Sequence, residues 1–369
     1  MIKKTIFIFL LICFFPFNVS AENNDFYEKQ YGISGIDNIE DSLPENAKDY
    51  IRENGILPDS EVLTETLQPQ NVFAHIWEFL KSGAKTPIVS ALGILGVILI
   101  SSAIEGWGES ASAQAVKYAT VISAVSVIAF PVSSVITAGV DAMKGCAVFM
   151  TAFVPIFAAV TASAGNPVTS ASMSALLLGA AQGVSFIANF IVIPLMGGYL
   201  AITIASSVSP VISNSGIADG IKKMSFWIMS LTSTLFIGIL SIQTALGASA
   251  DGLSVRTAKF IIGSAVPVAG TALSEALTTV TAAMGTLKAT VGIYGVIACA
   301  VIFLPILAEL FLWRLVLTVT DSVSSLFSLG KISAVLKGID SVMAVLIGII
   351  LLILAVFIIS LTIVVGAAK

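Results

Sequence analysis

A single histidine, His75, and three cysteines, Cys13, Cys146 and Cys299, set a low ceiling on the chemistry open to this 369-residue chain. A Ser–His dyad inside a membrane needs an imidazole there, and His75 lies outside the long apolar runs. No H-E-x-x-H for a metalloprotease and no G-x-x-x-x-G-K-[ST] for a nucleotide motor occurs. No two cysteines fall in the polar N-terminal part, so no disulfide framework is available there. The sequence therefore implies no catalytic residue, metal or cofactor, no nucleic acid, and no nucleotide bound directly. The expectation is a protein that is not an enzyme.

Ionisable groups within apolar sequence carry more weight, because a charge at mid-bilayer is costly and is usually kept for a role. The candidates are Glu275, Lys288, Glu309 and Arg314. Glu309 and Arg314 stand at the end of an apolar run beside Trp313, where snorkelling to the interface explains them. Glu275 has apolar sequence on both sides and is expected to hydrogen-bond across a helix contact or to line a wet path. Lys288 follows thirteen residues later, about 20 Å along an unbroken helix, too far for a direct pair. Gln182, Ser185 and Asn189 share one helical face and form a second candidate polar site, a possible partner for Glu275. Pro131, Pro155, Pro194, Pro210, Pro267 and Pro305 lie in or beside apolar runs. Each removes a backbone donor and frees a carbonyl, as in the broken helices of channels and transporters, or simply kinks a helix for packing.

The elements that must hold these residues follow from composition. Apolar residues make up 57% and charged residues 11%, which leaves too little polar surface for a soluble fold and points to lipid as the solvent. Residues 1–21 read as a cleaved signal peptide: Lys3 and Lys4, an apolar core from Thr5 to Phe15, Pro16, then Val19-Ser20-Ala21 with cleavage after Ala21. Residues 22–71 hold twelve of the 22 acidic residues and read as an extracytoplasmic segment with short amphipathic helices, docked on a partner or on the membrane part, or else a solvated arm. Residues 72–85 predict an interfacial helix capped by Asn71, with Trp77 at headgroup level beside Lys81 and Lys85 and with His75 solvated or facing headgroups. Residues 86–369 form the polytopic helical membrane domain.

The fold class is all-α: a polytopic integral membrane protein with about eight transmembrane helices, range about seven to ten. Spans are expected near 86–104, 118–140, 145–163, 173–193, 195–213, 224–247, 291–313 and 339–365. Residues 260–285 and 315–330 each suit a span, a re-entrant helix or an interfacial helix. With residue 22 outside, Lys222 and Lys223 fall inside as the positive-inside rule prefers, while Arg256 and Lys259 fall outside, against it.

Residues 264–295 carry a family resemblance. Ser264-Ala265-Val266-Pro267-Val268-Ala269-Gly270, then Leu273-Ser274-Glu275-Ala276, Leu287-Lys288 and Val291-Gly292-Ile293-Tyr294-Gly295 resemble the stage III sporulation protein AE family, with Ala269 where a bulkier Val is expected. The order of leader, acidic segment and polytopic region is similar too. The resemblance implies an endospore former and a subunit of a multiprotein complex in the mother-cell membrane around the forespore. That complex is thought to form a channel or feeding conduit, is likened to specialised secretion systems, and has a separate ATPase subunit. It marks Pro267, Gly270, Ser274, Glu275, Lys288, Gly292 and Gly295 as a functional or packing motif. The residues alone also suit a secondary transporter with Glu275 near the midplane, or an inert assembly scaffold.

Overall fold

The computed structural model describes residues 39–56, 60–105, 111–187, 190–191, 193–208, 215–265 and 270–366. Every long element among them is a helix. In chain order these are α1 (Glu45–Glu53), α2 (Ser60–Thr66), α3 (Pro69–Gly83), α4 (Lys85–Glu105), α5 (Ala111–Ser163), α6 (Pro167–Ile187), α7 (Ile193–Val208), α8 (Ser215–Ala265), α9 (Gly270–Leu326) and α10 (Gly330–Gly366). The expected signal peptide, residues 1–21, and its expected cleavage after Ala21 lie outside the described residues.

Five of these helices, α4, α5, α8, α9 and α10, are long and apolar enough to cross a membrane by length and composition. The all-α membrane architecture matches the sequence; the partition into spans does not. Stretches 118–140 and 145–163 are one helix, α5, of 53 residues. Stretch 291–313, residues 315–326 and the second part of 260–285 are one helix, α9, of 57 residues. The polar residues between the first two stretches mark no chain reversal: Asp141 and Lys144 sit one helical turn apart and face each other at 3.9 Å. The prolines do not break these helices either, because Pro131 and Pro155 lie inside α5 and Pro305 inside α9. At 1.5 Å per residue, α5 is about 80 Å long, against a hydrocarbon layer of about 30 Å.

The described part of the acidic segment is docked on the bundle. Ile39, Leu43, Ala47, Ile51, Ile56 and Leu63 are buried against α5 and α9, and at Gly145 a Cβ would stand 2.6 Å from the Pro44 ring. Its polar face is tied by Lys48–Asp41 at 2.6 Å and by an Arg52–Glu40 pair. The Lys48 ammonium holds the exposed Asp41 carboxyl below its usual value. Helix α3 begins earlier than expected, with Pro69 in its first turn and Gln68 at the N-cap; Asn71 instead donates to the Glu65 carbonyl at 2.8 Å. His75 is part-buried rather than fully solvated: it meets the Tyr50 hydroxyl through Nδ1, and the Tyr50 ring lies 4.6 Å from that of Phe79. Burial, with the Glu78 charge as a lesser cause, pushes Tyr50 up to about 12. Phe73 and Trp77 point outward from α3, and the Lys81 ammonium sits 5.8 Å from the Trp77 ring.

Candidate functional site

The motif from the sequence maps onto one helix. Lys288, Gly292 and Gly295 stand at i, i+4 and i+7 of α9, so they share a face. That face packs on a ladder of rings from α5: Phe149, Phe153 and Phe157, spaced four apart, have successive centroids 5.3 and 5.5 Å apart. At Gly295 a Cβ would fall 2.5 Å from the Phe153 ring. At Gly292 it would overlap the Val365 side chain and reach the Phe157 ring at 3.4 Å. Gly295 therefore lets the α9 backbone lie against the Phe153 ring, and Gly292 lets it lie against Val365 of α10.

Lys288 is buried on the same face, 1% exposed, and its Nζ has no hydrogen-bond partner among the described residues. The opposite charge coupled to it is Asp251 of α8. Asp251 is buried too and caps a third helix. Its Oδ1 accepts the Val168 N–H at 2.8 Å and its Oδ2 the Thr169 N–H at 2.9 Å, both in the first turn of α6. A carboxylate there satisfies free donors and opposes the positive end of the helix dipole. One turn before Asp251, Gly247 lets the α8 backbone touch α6, since a Cβ there would meet the Thr169 Cα at 3.0 Å. Leu240, Thr244, Gly247 and Asp251 thus form the face by which α8 meets α6, with the Thr244 hydroxyl 3.4 Å from the Met173 sulfur, while Phe226 of α8 packs on Gly348 of α10.

Sequence reasoning missed Asp251. It lies four residues past the expected span 224–247 and reads as loop, yet α8 runs on to Ala265. The available signal was its helical register with Leu240, Thr244 and Gly247.

The other candidates are placed differently. Gly270, Ser274 and Glu275 lie in the first two turns of α9, and their side chains are outside the described residues, as is Pro267. Because α9 is continuous from Gly270 through Lys288, a direct Glu275–Lys288 pair is out of reach and 270–285 is not re-entrant. Gln182 reaches Thr151 at 3.4 Å rather than a site of its own; the Ser185 side chain and Asn189 are outside the described residues. Arg314 forms a forked pair with Asp340 of α10, at 2.8 and 3.1 Å, and Trp313 beside it is fully buried. Glu309 is half-buried where α3 ends, its Cα 3.6 Å from a Cβ built on Gly83. Cys146 and Cys299 are buried free thiols with sulfurs 3.8 Å apart. A cavity of about 10 Å³ between α5 and α6, lined by Phe157, Thr161, Ser170, Met173 and others, is far smaller than the roughly 300–1,000 Å³ of organic-ligand pockets.

Long apolar helices, a core of helix–helix contacts and polar groups satisfied across helices define a polytopic all-α membrane protein. Residues 64–368 match the model of the family described as Stage III sporulation protein AE, and the chain belongs to that family. It is similar to the Stage III sporulation protein AE of Bacillus subtilis (strain 168), 25% identical over 294 residues, which are 74% of this chain and 73% of the relative. No solved structure matches it. The family is a sporulation family, and sporulation is the process in which this membrane protein takes part.

Proposed function

We propose that this chain is a non-enzymatic membrane subunit of the mother cell–forespore channel complex, supplying a helical core on which the other stage III membrane subunits assemble. The family match over residues 64–368 carries the reading. The geometry supports it: the motif glycines pack helices, and the buried charges join them. In this reading the protein is a multi-pass protein of the mother-cell membrane around the forespore. Residues 1–21 are removed, 22–71 face the space between the two cells, 72–85 lie at the interface and 86–369 form the membrane domain. Glu275 and the Gln182–Ser185–Asn189 face belong to contacts inside that assembly.

The test is capture of tagged full-length protein from sporulating cells after membrane-permeant crosslinking, with the recovered proteins identified. Recovery of other stage III membrane subunits is the expected result; recovery of the tagged chain alone would overturn the reading. The buried Lys288 and Asp251 also suit a self-contained secondary transporter. Saturable solute uptake by the purified chain in liposomes would favour that reading instead.

A further inference from the structure

Beyond the expected leader the chain has two cysteines, Cys146 and Cys299, which stand 153 residues apart. The fold brings them face to face. Their sulfurs are 3.8 Å apart, Cys146 on α5 and Cys299 on α9, and both side chains are fully buried. Cys146 lies three residues before Phe149 and seven before Phe153, and Cys299 lies four residues after Gly295. The thiols therefore extend the seam in which Gly295 seats on Phe153. Gly145, the residue before Cys146, takes the Pro44 ring, so the N-terminal segment docks on α5 one residue from this pair. A lone buried thiol behaves as a small apolar side chain and is inert. A facing pair differs, because once one sulfur has reacted the second is in place to resolve it. A disulfide bond is about 2.05 Å long, so the sulfurs must close by about 1.8 Å. Each sulfur swings about its own Cα–Cβ bond, and rotation between staggered rotamers covers a gap of that size.

We propose that Cys146 and Cys299 form a reversible dithiol–disulfide pair that staples α5 to α9. The oxidant is a small organic disulfide. One cysteine sulfur, on losing its proton, attacks the oxidant's S–S bond, forms a mixed disulfide and releases a first thiol. The other cysteine sulfur loses its proton, attacks the mixed bond, closes Cys146–Cys299 and releases the second thiol. The two cysteines give up two electrons and two protons, and the oxidant takes them up in becoming two thiols. Burial keeps the reduced pair dormant until local opening admits the oxidant. Once closed, the bond fixes the register of α9 on α5, the contact on which Gly295 is seated. This goes beyond membership of a complex: it makes the α5–α9 contact answer to thiol redox state.

The test uses the full-length chain in native membranes, with Cys13→Ala to remove the leader thiol. The probe is dithiodipyridine, a small apolar disulfide. After acid quenching and denaturation, free thiols are counted with a polymer-linked maleimide and the intact mass is read. The chain with both cysteines is expected to lose both thiols, to retain no pyridylthio group and to drop in mass by two hydrogens. Dithiothreitol should then restore both thiols. Cys146→Ala leaves Cys299 without a resolving partner, so there the pyridylthio group is expected to stay on the protein. Two thiols still free after treatment, a pyridylthio group on each cysteine, or a disulfide joining two chains would each overturn the proposal. Should Cys146→Ala fail to accumulate, the chain with both cysteines decides alone.

Discussion

Helices α8 and α9 are both apolar and both longer than a bilayer is thick, yet they do opposite things. In the most apolar stretch of α8, 12% of residues are buried within the protein; in that of α9, 78% are. Helix α8 turns Met224, Trp227, Leu231, Leu235, Ile242 and Leu246 outward at helical spacing over about 33 Å, close to one hydrocarbon thickness. It holds the bundle by the narrow face that ends in Gly247 and Asp251. Helix α9 presents glycines to rings and closes a long hairpin with α10. Hydropathy cannot separate the two, because a side chain in lipid and one in a protein core both leave water. What distinguishes them is the share of each helix that other helices cover.

The largest effect should come from filling the α9 contact. Gly295→Val places two methyl groups in the volume of the Phe153 ring, where even a Cβ overlaps. A cost of about 3 kcal/mol is expected from overpacking, read as loss of accumulated protein and a lower Tm in detergent. Gly285, on the same helix, has open space around it. Gly285→Ala should stabilise by about 0.5–1 kcal/mol through helix propensity. If both variants behaved alike, the packing role of Gly295 would be lost.

Next is the Arg314–Asp340 fork that ties α9 to α10. Arg314→Ala leaves a partly buried carboxylate without its partner and removes two charge-assisted bonds. With both side chains somewhat over a quarter exposed, solvent screens the loss, and about 2 kcal/mol is expected. Arg314→Lys keeps the charge but not the fork and should recover only part of the Tm. Full recovery by Lys would show that charge alone is at work there.

On α8 the comparison predicts tolerance. Trp227→Ala and Leu246→Ala alter side chains that stand outside the protein core, so each should move the Tm in detergent by no more than about 0.5 kcal/mol. A loss like that of a core truncation, about 3 kcal/mol, would show that protein covers this stripe in the isolated chain.

How much of this was legible in the sequence depends on the physics that each residue reports. Composition gives the class, since 11% charge cannot coat a soluble fold of this length. Lys288 was legible as an isolated charge in an apolar run. Its coupled partner Asp251 was not, because polar residues beyond an apolar stretch look the same in a loop and in a helix that continues. Asp141 and Lys144 misled in the same way: as a pair one turn apart they extend α5, where a hydropathy plot reads a gap. Pro131, Pro155 and Pro305 left a break and a packing kink both open in the sequence; the helices run through them, since a proline removes one backbone bond while its packed neighbours hold the helix together. The close seats of Gly295 on Phe153 and of Gly292 on Val365 needed partners more than seventy residues away in the chain.

One further effect lies outside the membrane-spanning helices, where Tyr50 pins α3 to α1. Tyr50→Phe keeps the ring on Phe79 and removes the hydroxyl from His75, so the loss should be one hydrogen bond, about 1 kcal/mol. The alkaline behaviour separates that bond from simple packing. An unfolded tyrosine ionises near 10, while Tyr50 in place is pushed up to about 12 by burial and the Glu78 charge. The folded segment therefore holds its proton where the detached segment has lost it. The stabilisation is fully present below pH about 10 and is lost as pH rises from about 10 through 12. Proteolytic release of residues 39–66 from membranes, followed between pH 8 and 11.5, should rise steeply in the upper part of that range for the native chain. In Tyr50→Phe the release should start higher at pH 8 and climb less. Parallel curves for the two proteins would mean that Tyr50 ionisation does not control the docking of this segment.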